Sequence, residues 1–126
     1  LGLKNVEVVQ RPEKEFLYSV LRDSDLLIAA SSTANIEGLM LDKNIICVDG
    51  LAKGMQANLA KIAEYRKATF VVDKGDDFTA AITKVLSDKN VQRKLAQKRQ
   101  RYLTDSFYRI DGKAYERVAD LIKSLI

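Results

Sequence analysis

Residues 31–37, SSTANIE, place three consecutive hydroxyl side chains four residues ahead of a single carboxylate. Ser31, Ser32 and Thr33 stand where an apolar run, DLLIAA (25–30), hands over to a helix expected from about Ala34 to Asp42. Hydroxyls at such a junction can do two things. As a cap, Thr33 accepts orphan amides of the first helical turn, worth about 1 kcal/mol, and the serines fill the turn. As an anion site, the helix N–H groups and positive end hold a phosphate, with the hydroxyls as further donors. Glu37 does not complete a capping box, whose carboxylate belongs three residues after the cap; with Thr33 as cap that position is Ile36. Glu37 either just suits the helix dipole or accepts from both hydroxyls of a ribose whose phosphates rest on residues 31–33. The residues alone leave both readings open.

Other chemistry is narrowed by composition. The chain has no histidine, which removes Ser-His-Asp and Cys-His catalysis and disfavours a zinc site. A general base would have to be a carboxylate, Lys or Tyr. The single cysteine, Cys47, lies inside IICVD and reads as a core thiol. A net charge of +4 favours anionic partners. The 47% hydrophobic and 30% charged fractions are those of a soluble globular chain, and no apolar run reaches the roughly 20 residues of a membrane span.

The elements that position residues 31–37 follow from pattern. VEVVQ (6–10) reads as a strand, and Pro12 opens a helix over PEKEFLYSVLRDS with Phe16, Leu17, Val20 and Leu21 on one face. Residues 25–30 read as a strand buried on both faces, as in a parallel sheet. NIICVD (44–49) and TFVVD (69–73) are two further strands, separated by the GLAKG loop (50–54) and a helix from about Met55 to Lys67. Helices at about 76–87, 88–105 and 113–125 complete the chain. Alternating strands and helices predict an α/β fold with a parallel, doubly wound sheet and a helical tail, a single domain over 1–126. In such sheets ligands sit beyond the carboxyl ends of the strands, which is where residues 31–33 fall. The chain opens on LGLKN without a methionine, so a longer parent protein is expected.

SDLLIAASS, Glu37-Gly38 and LDKNIICVD, in that order and spacing, resemble the nucleotide-binding segment of the GT-B superfamily, in its carboxyl-terminal Rossmann-like half. The hydroxyl pair before the acidic residue is similar to polyol-phosphate transferases of the teichoic-acid type. The six-residue interval from Ser31 to Glu37 is also similar to non-hydrolysing UDP-N-acetylglucosamine 2-epimerases, although those carry paired glycines and paired acids where this chain has Ser32-Thr33 and Ile36-Glu37. The tail FYRIDGKAYERVADLIKSLI looks like the closing helix of many such enzymes.

The resemblance implies the donor half of a glycosyltransferase or polyol-phosphate transferase, with an acceptor-binding amino-terminal domain and two strands upstream. Strands 6–10, 25–30, 44–49 and 69–73 would be the last four of six, with the first set apart from the other three. The diphosphate of a nucleotide-activated sugar or CDP-polyol would lie on Ser31, Ser32, Thr33 and Lys53, the ribose on Glu37 and the nucleobase near Gln10 and Arg11. No catalytic residue, metal or separate cofactor is expected in this half, and the isolated chain should not turn over. The expected product is a cell-envelope polymer or polysaccharide, made in the cytoplasm or on the inner face of the membrane. Two alternatives stand beside it: an isomerase of UDP-sugars on the same fold, and a non-catalytic Rossmann-like interaction domain. The basic run RKLAQKRQR (93–101) reads as a solvated helix face or as a surface for anionic lipid. Nucleic acid is not expected, because aromatic residues do not interleave with the basic ones.

Overall fold

The computed structural model describes residues 4–10, 13–30, 32–48 and 64–126. Within them the chain is α/β, with a three-stranded parallel sheet and five α-helices. In order these are α1 (Lys14–Asp23), β1 (Leu26–Ala29), α2 (Ala34–Met40), β2 (Asn44–Val48), a 3-10 helix (Glu64–Ala68), β3 (Phe70–Val72), α3 (Phe78–Ser87), α4 (Lys89–Ser106) and α5 (Ala114–Ser124).

The sheet order is β1-β2-β3, with Leu27 opposite Ile45, Ala29 opposite Cys47, and Cys47 opposite Val71. Because side chains alternate along a strand, β2 divides its apolar residues between two cores. Ile45 and Cys47 pack with Leu39 of α2 and with Tyr65 and Ala68 of the 3-10 helix. Ile46 points the other way, into Val72, Ala81, Val85 and Leu95. Residues 45–47 are at most 1% exposed, so β2 is the strand buried on both faces.

Helix boundaries follow local chemistry. Asp77 and Asp88 cap α3 and α4 by accepting from Ala80 N–H, and from Asn90 and Val91 N–H, respectively. Gln92 donates to the carbonyls of Val85 and Leu86, serving the exposed end of α3. The helix α2 stops through Lys43 N–H to Gly38 O and Asp42 N–H to Leu39 O, with Asp42 at φ 62° in the position usually given to glycine. At that turn the buried Arg99 of α4 donates to the carbonyl of Lys43 and pairs with Asp42. Since Lys43 immediately precedes β2, α4 passes the amino-terminal end of the sheet. Its Val91 and Leu95 join one core, its Tyr102 and Leu103 the other.

Three expectations are corrected. Residues 6–10 are not a strand: the backbone has no ladder partner among the described residues, and Val6, Val8 and Val9 are 43–79% exposed. A valine-rich segment becomes a strand only where another strand accepts its hydrogen bonds, and the described sheet ends at β1. For the same reason β1 is an edge strand rather than one buried on both faces, with Ile28 44% exposed. The helix expected to Lys67 is, over its described part, a 3-10 helix at Glu64–Ala68. No helix among the described residues is long and apolar enough to cross a membrane.

Candidate nucleotide-binding loop

The β1–α2 junction is held from inside by Asn35. This side chain is fully buried, and its Nδ2 donates to the carbonyl of Ala30 at 2.8 Å, tying the end of β1 to the first turn of α2. Its Oδ1 is buried and accepts no hydrogen bond. Sequence reasoning passed over Asn35, yet a signal was present. It lies three and four residues before Gly38 and Leu39, the other buried members of α2, so it falls on the sheet-facing stripe.

Gly38 lets that stripe approach. A Cβ at position 38 would meet Leu27 Cδ2 at 2.8 Å and Ile45 Cδ1 at 3.1 Å. With no side chain there, α2 sits directly on β1 and β2, which fixes where the loop emerges.

Capping differs from the sequence expectation. Thr33 has helical backbone angles and makes no side-chain cap bond; the capping hydroxyl is Ser32, whose Oγ accepts from Ala34 N–H at 3.2 Å. The next amides are also engaged. Asn35 N–H reaches Ser32 O, and Ile36 and Glu37 N–H both reach Thr33 O. From Ala34 onward, then, the start of α2 offers no free amide to an anion, and a helix of seven residues carries a small dipole. The hydroxyls of Ser32 and Thr33, both exposed, are donors that the helix itself does not use.

Glu37 lies four residues beyond Thr33, on the same helical face about one turn further along. It is half-buried, and its carboxylate enters no hydrogen bond or ion pair among the described residues. Ser32 and Thr33 therefore stand just past the carboxyl end of β1, and Glu37 follows one turn further into α2, which runs back along the strands. Gln10 is exposed on a segment without regular structure, and no hydrogen bond joins it to this junction. Ser31, Arg11 and Lys53, with the rest of the 50–54 loop, lie outside the described residues. No family model, curated protein or solved structure matches the chain.

Proposed function

We propose that this chain is the donor-nucleotide-binding part of a GT-B-type glycosyltransferase or polyol-phosphate transferase, its three parallel strands belonging to a Rossmann-like sheet. One observation carries the reading: Glu37 is a half-buried carboxylate with no hydrogen bond or ion pair among the described residues, one turn past two exposed hydroxyls that stand beyond the carboxyl end of a parallel strand. A carboxylate withdrawn from water loses hydration and gains most from a ligand that donates two hydrogen bonds, as the 2′- and 3′-hydroxyls of a ribose do. Ser32 and Thr33 would then donate to the diphosphate. As negative charge grows on the leaving diphosphate, these donors stabilise it without a proton transfer from this part. The acceptor and general base belong to the rest of the enzyme, whose place is proposed as the cytoplasm or the inner membrane face.

The test is an NMR titration of the chain with UDP, CDP, GDP and ADP, repeated on Glu37→Ala. Saturable shifts centred on residues 32–37 that weaken at least tenfold in the variant are the expected result. A well-dispersed spectrum that none of the four nucleotides perturbs refutes the reading.

A specific observation favours a second reading, that of a non-catalytic interaction domain. The amides at the start of α2 are satisfied internally, as in a loop built only to turn the chain. That reading expects no nucleotide response and no effect of Glu37→Ala.

A further inference from the structure

Cations line one groove of the molecule. Arg66, Lys67, Lys84, Lys94 and Lys98 line a cavity of about 370 Å³ between the 3-10 helix and β3 on one side and α3 and α4 on the other, with no carboxylate among its described lining residues. Lys67 and Lys98 are shared with a second cavity of about 760 Å³ further along α4, where Arg101, Tyr102, Glu64 and Asp105 continue the lining. Among the described residues the two stretches hold six cations and two carboxylates, an excess of four.

The two carboxylates are already engaged, Glu64 with Lys67 and Asp105 with Arg101. Lys84, Lys94 and Lys98 make no ion pair or hydrogen bond among the described residues. Three like charges converge there on a floor formed partly by Phe70, Val71, Val91 and Leu95. Lys94, Lys98 and Arg101 fall at i, i+4 and i+7, one face of α4, spaced about 5–6 Å along its axis. From Lys94 to Arg101 this row of cations runs for about 10 Å, within a lining that extends about 22 Å along α4 from Val91 to Ser106. A concave row matches a linear anion better than a flat membrane, to which cations on the two walls of a groove could not all lie close. Tyr102 and Phe70 are partly buried, and no exposed aromatic alternates with the cations. The groove is therefore built to contact a charged backbone, not to stack bases.

We infer that this groove binds a linear phosphoryl polyanion, a polyphosphate or phosphodiester chain, through its backbone and without sequence preference. The groove lies at the amino-terminal end of β3, whereas Ser32 and Thr33 lie beyond the carboxyl end of β1 and Glu37 on α2, and none of the three lines the groove, so the inference is independent of the donor-site reading.

The test is fluorescence anisotropy of labelled inorganic polyphosphate with the intact chain at 50–200 mM salt, run beside a labelled single-stranded oligonucleotide. The expected result is saturable binding that weakens steeply with salt, as counterion release requires. The triple variant Lys84→Glu/Lys94→Glu/Lys98→Glu should lose at least about tenfold in affinity. A control, Lys4→Glu/Lys74→Glu/Lys113→Glu, changes net charge equally on exposed residues elsewhere and should stay within about twofold. The oligonucleotide arm separates phosphodiester from polyphosphate as the source, and saturable binding of either ligand lost in the groove triple supports the inference. Equal loss in both triples would reduce the effect to net charge and overturn the groove. No binding to either polyanion, with or without sedimentation on vesicles containing 30% phosphatidylglycerol, would overturn it as well; sedimentation alone would reassign the patch to a membrane surface.

Discussion

The strand β2 and the helix α5 are both rich in aliphatic residues, yet they end in opposite environments. Ile45, Ile46 and Cys47 of β2 are at most 1% exposed, whereas α5 has no buried residue, and Tyr115, Val118, Leu121 and Ile122 stand 53–70% exposed along one face. Composition does not separate them; topology does. A central parallel strand takes backbone partners on both edges, and its alternating side chains then meet a layer on each face. An amphipathic helix satisfies its own backbone and can form with its apolar face uncovered. Burial in this molecule therefore reports which elements the sheet must have, and hydrophobicity alone does not.

The sharpest way to break the comparison is to cut one methyl-bearing side chain from each region. Ile46→Ala, in the core of α3 and α4, should lower stability by about 2–4 kcal/mol in urea unfolding, a large fraction of the roughly 5–15 kcal/mol of a typical domain. Leu121→Ala, on the open face of α5, should change it by less than about 0.5 kcal/mol. Comparable losses at the two sites would mean that α5 is covered in solution.

Next in size is the pin at the amino-terminal end of the sheet. Arg99→Met keeps most of the aliphatic volume but removes the donor to Lys43 O and the partner of Asp42. Because Asp42 is 86% exposed, water takes over its carboxylate. The expected loss is about 1–2 kcal/mol, with faster amide exchange around residues 41–44.

At the other end of the sheet, Asn35→Ala frees the Ala30 carbonyl, with an expected cost of about 1 kcal/mol. The unpaired Oδ1 of Asn35 already carries a desolvation cost, so deleting the whole side chain recovers part of what the lost bond contributed. Its clearer readout is the NMR environment of Ser32 and Thr33, which should move although neither residue was changed. Unmoved shifts would show that Asn35 does not set the loop.

The smallest effect belongs to α5 alone. The Asp111 carboxylate accepts from Lys113 N–H and from Arg117, and both bonds hold its carboxyl below the usual aspartate range, the backbone bond contributing most. A group depressed on folding supports the fold above its unfolded value and loses that support as pH falls through its folded one. The start of α5 should therefore loosen only below about pH 3.9, seen as amide shifts at residues 113–117 and absent in Asp111→Asn. A transition in the same residues above pH 5 would assign the change to another group.

Much of this was legible in the chain. The run DLLIAA between two helical segments marked β1, NIICVD marked β2, and helical pattern marked the segments at about 76–87, 88–105 and 113–125, because short-range hydrogen bonding and side-chain period act within a few residues. The six candidate cations of the groove were visible only in part. Lys94, Lys98 and Arg101 lie in one basic run, but Arg66, Lys67 and Lys84 join them only because α4 lies alongside β3 and the 3-10 helix. The candidate loop divided in the same way. Its hydroxyls and Glu37 were apparent as residue types, while the choice of Ser32 over Thr33 as cap depended on backbone angles that the residue types do not fix.

By itself, then, the sequence determined the five described α-helices, the parallel character of β1 and β2, and the chemistry present at their junction. Each of these rests on interactions between near neighbours along the chain. Only the tertiary structure decided that residues 6–10 would stay out of the sheet, that β2 and not β1 would be its buried centre, and that Asn35 and Arg99 would fasten its two ends. Those outcomes depend on hydrogen-bond partners and apolar layers supplied from distant positions, and a local pattern cannot say whether a partner will be there.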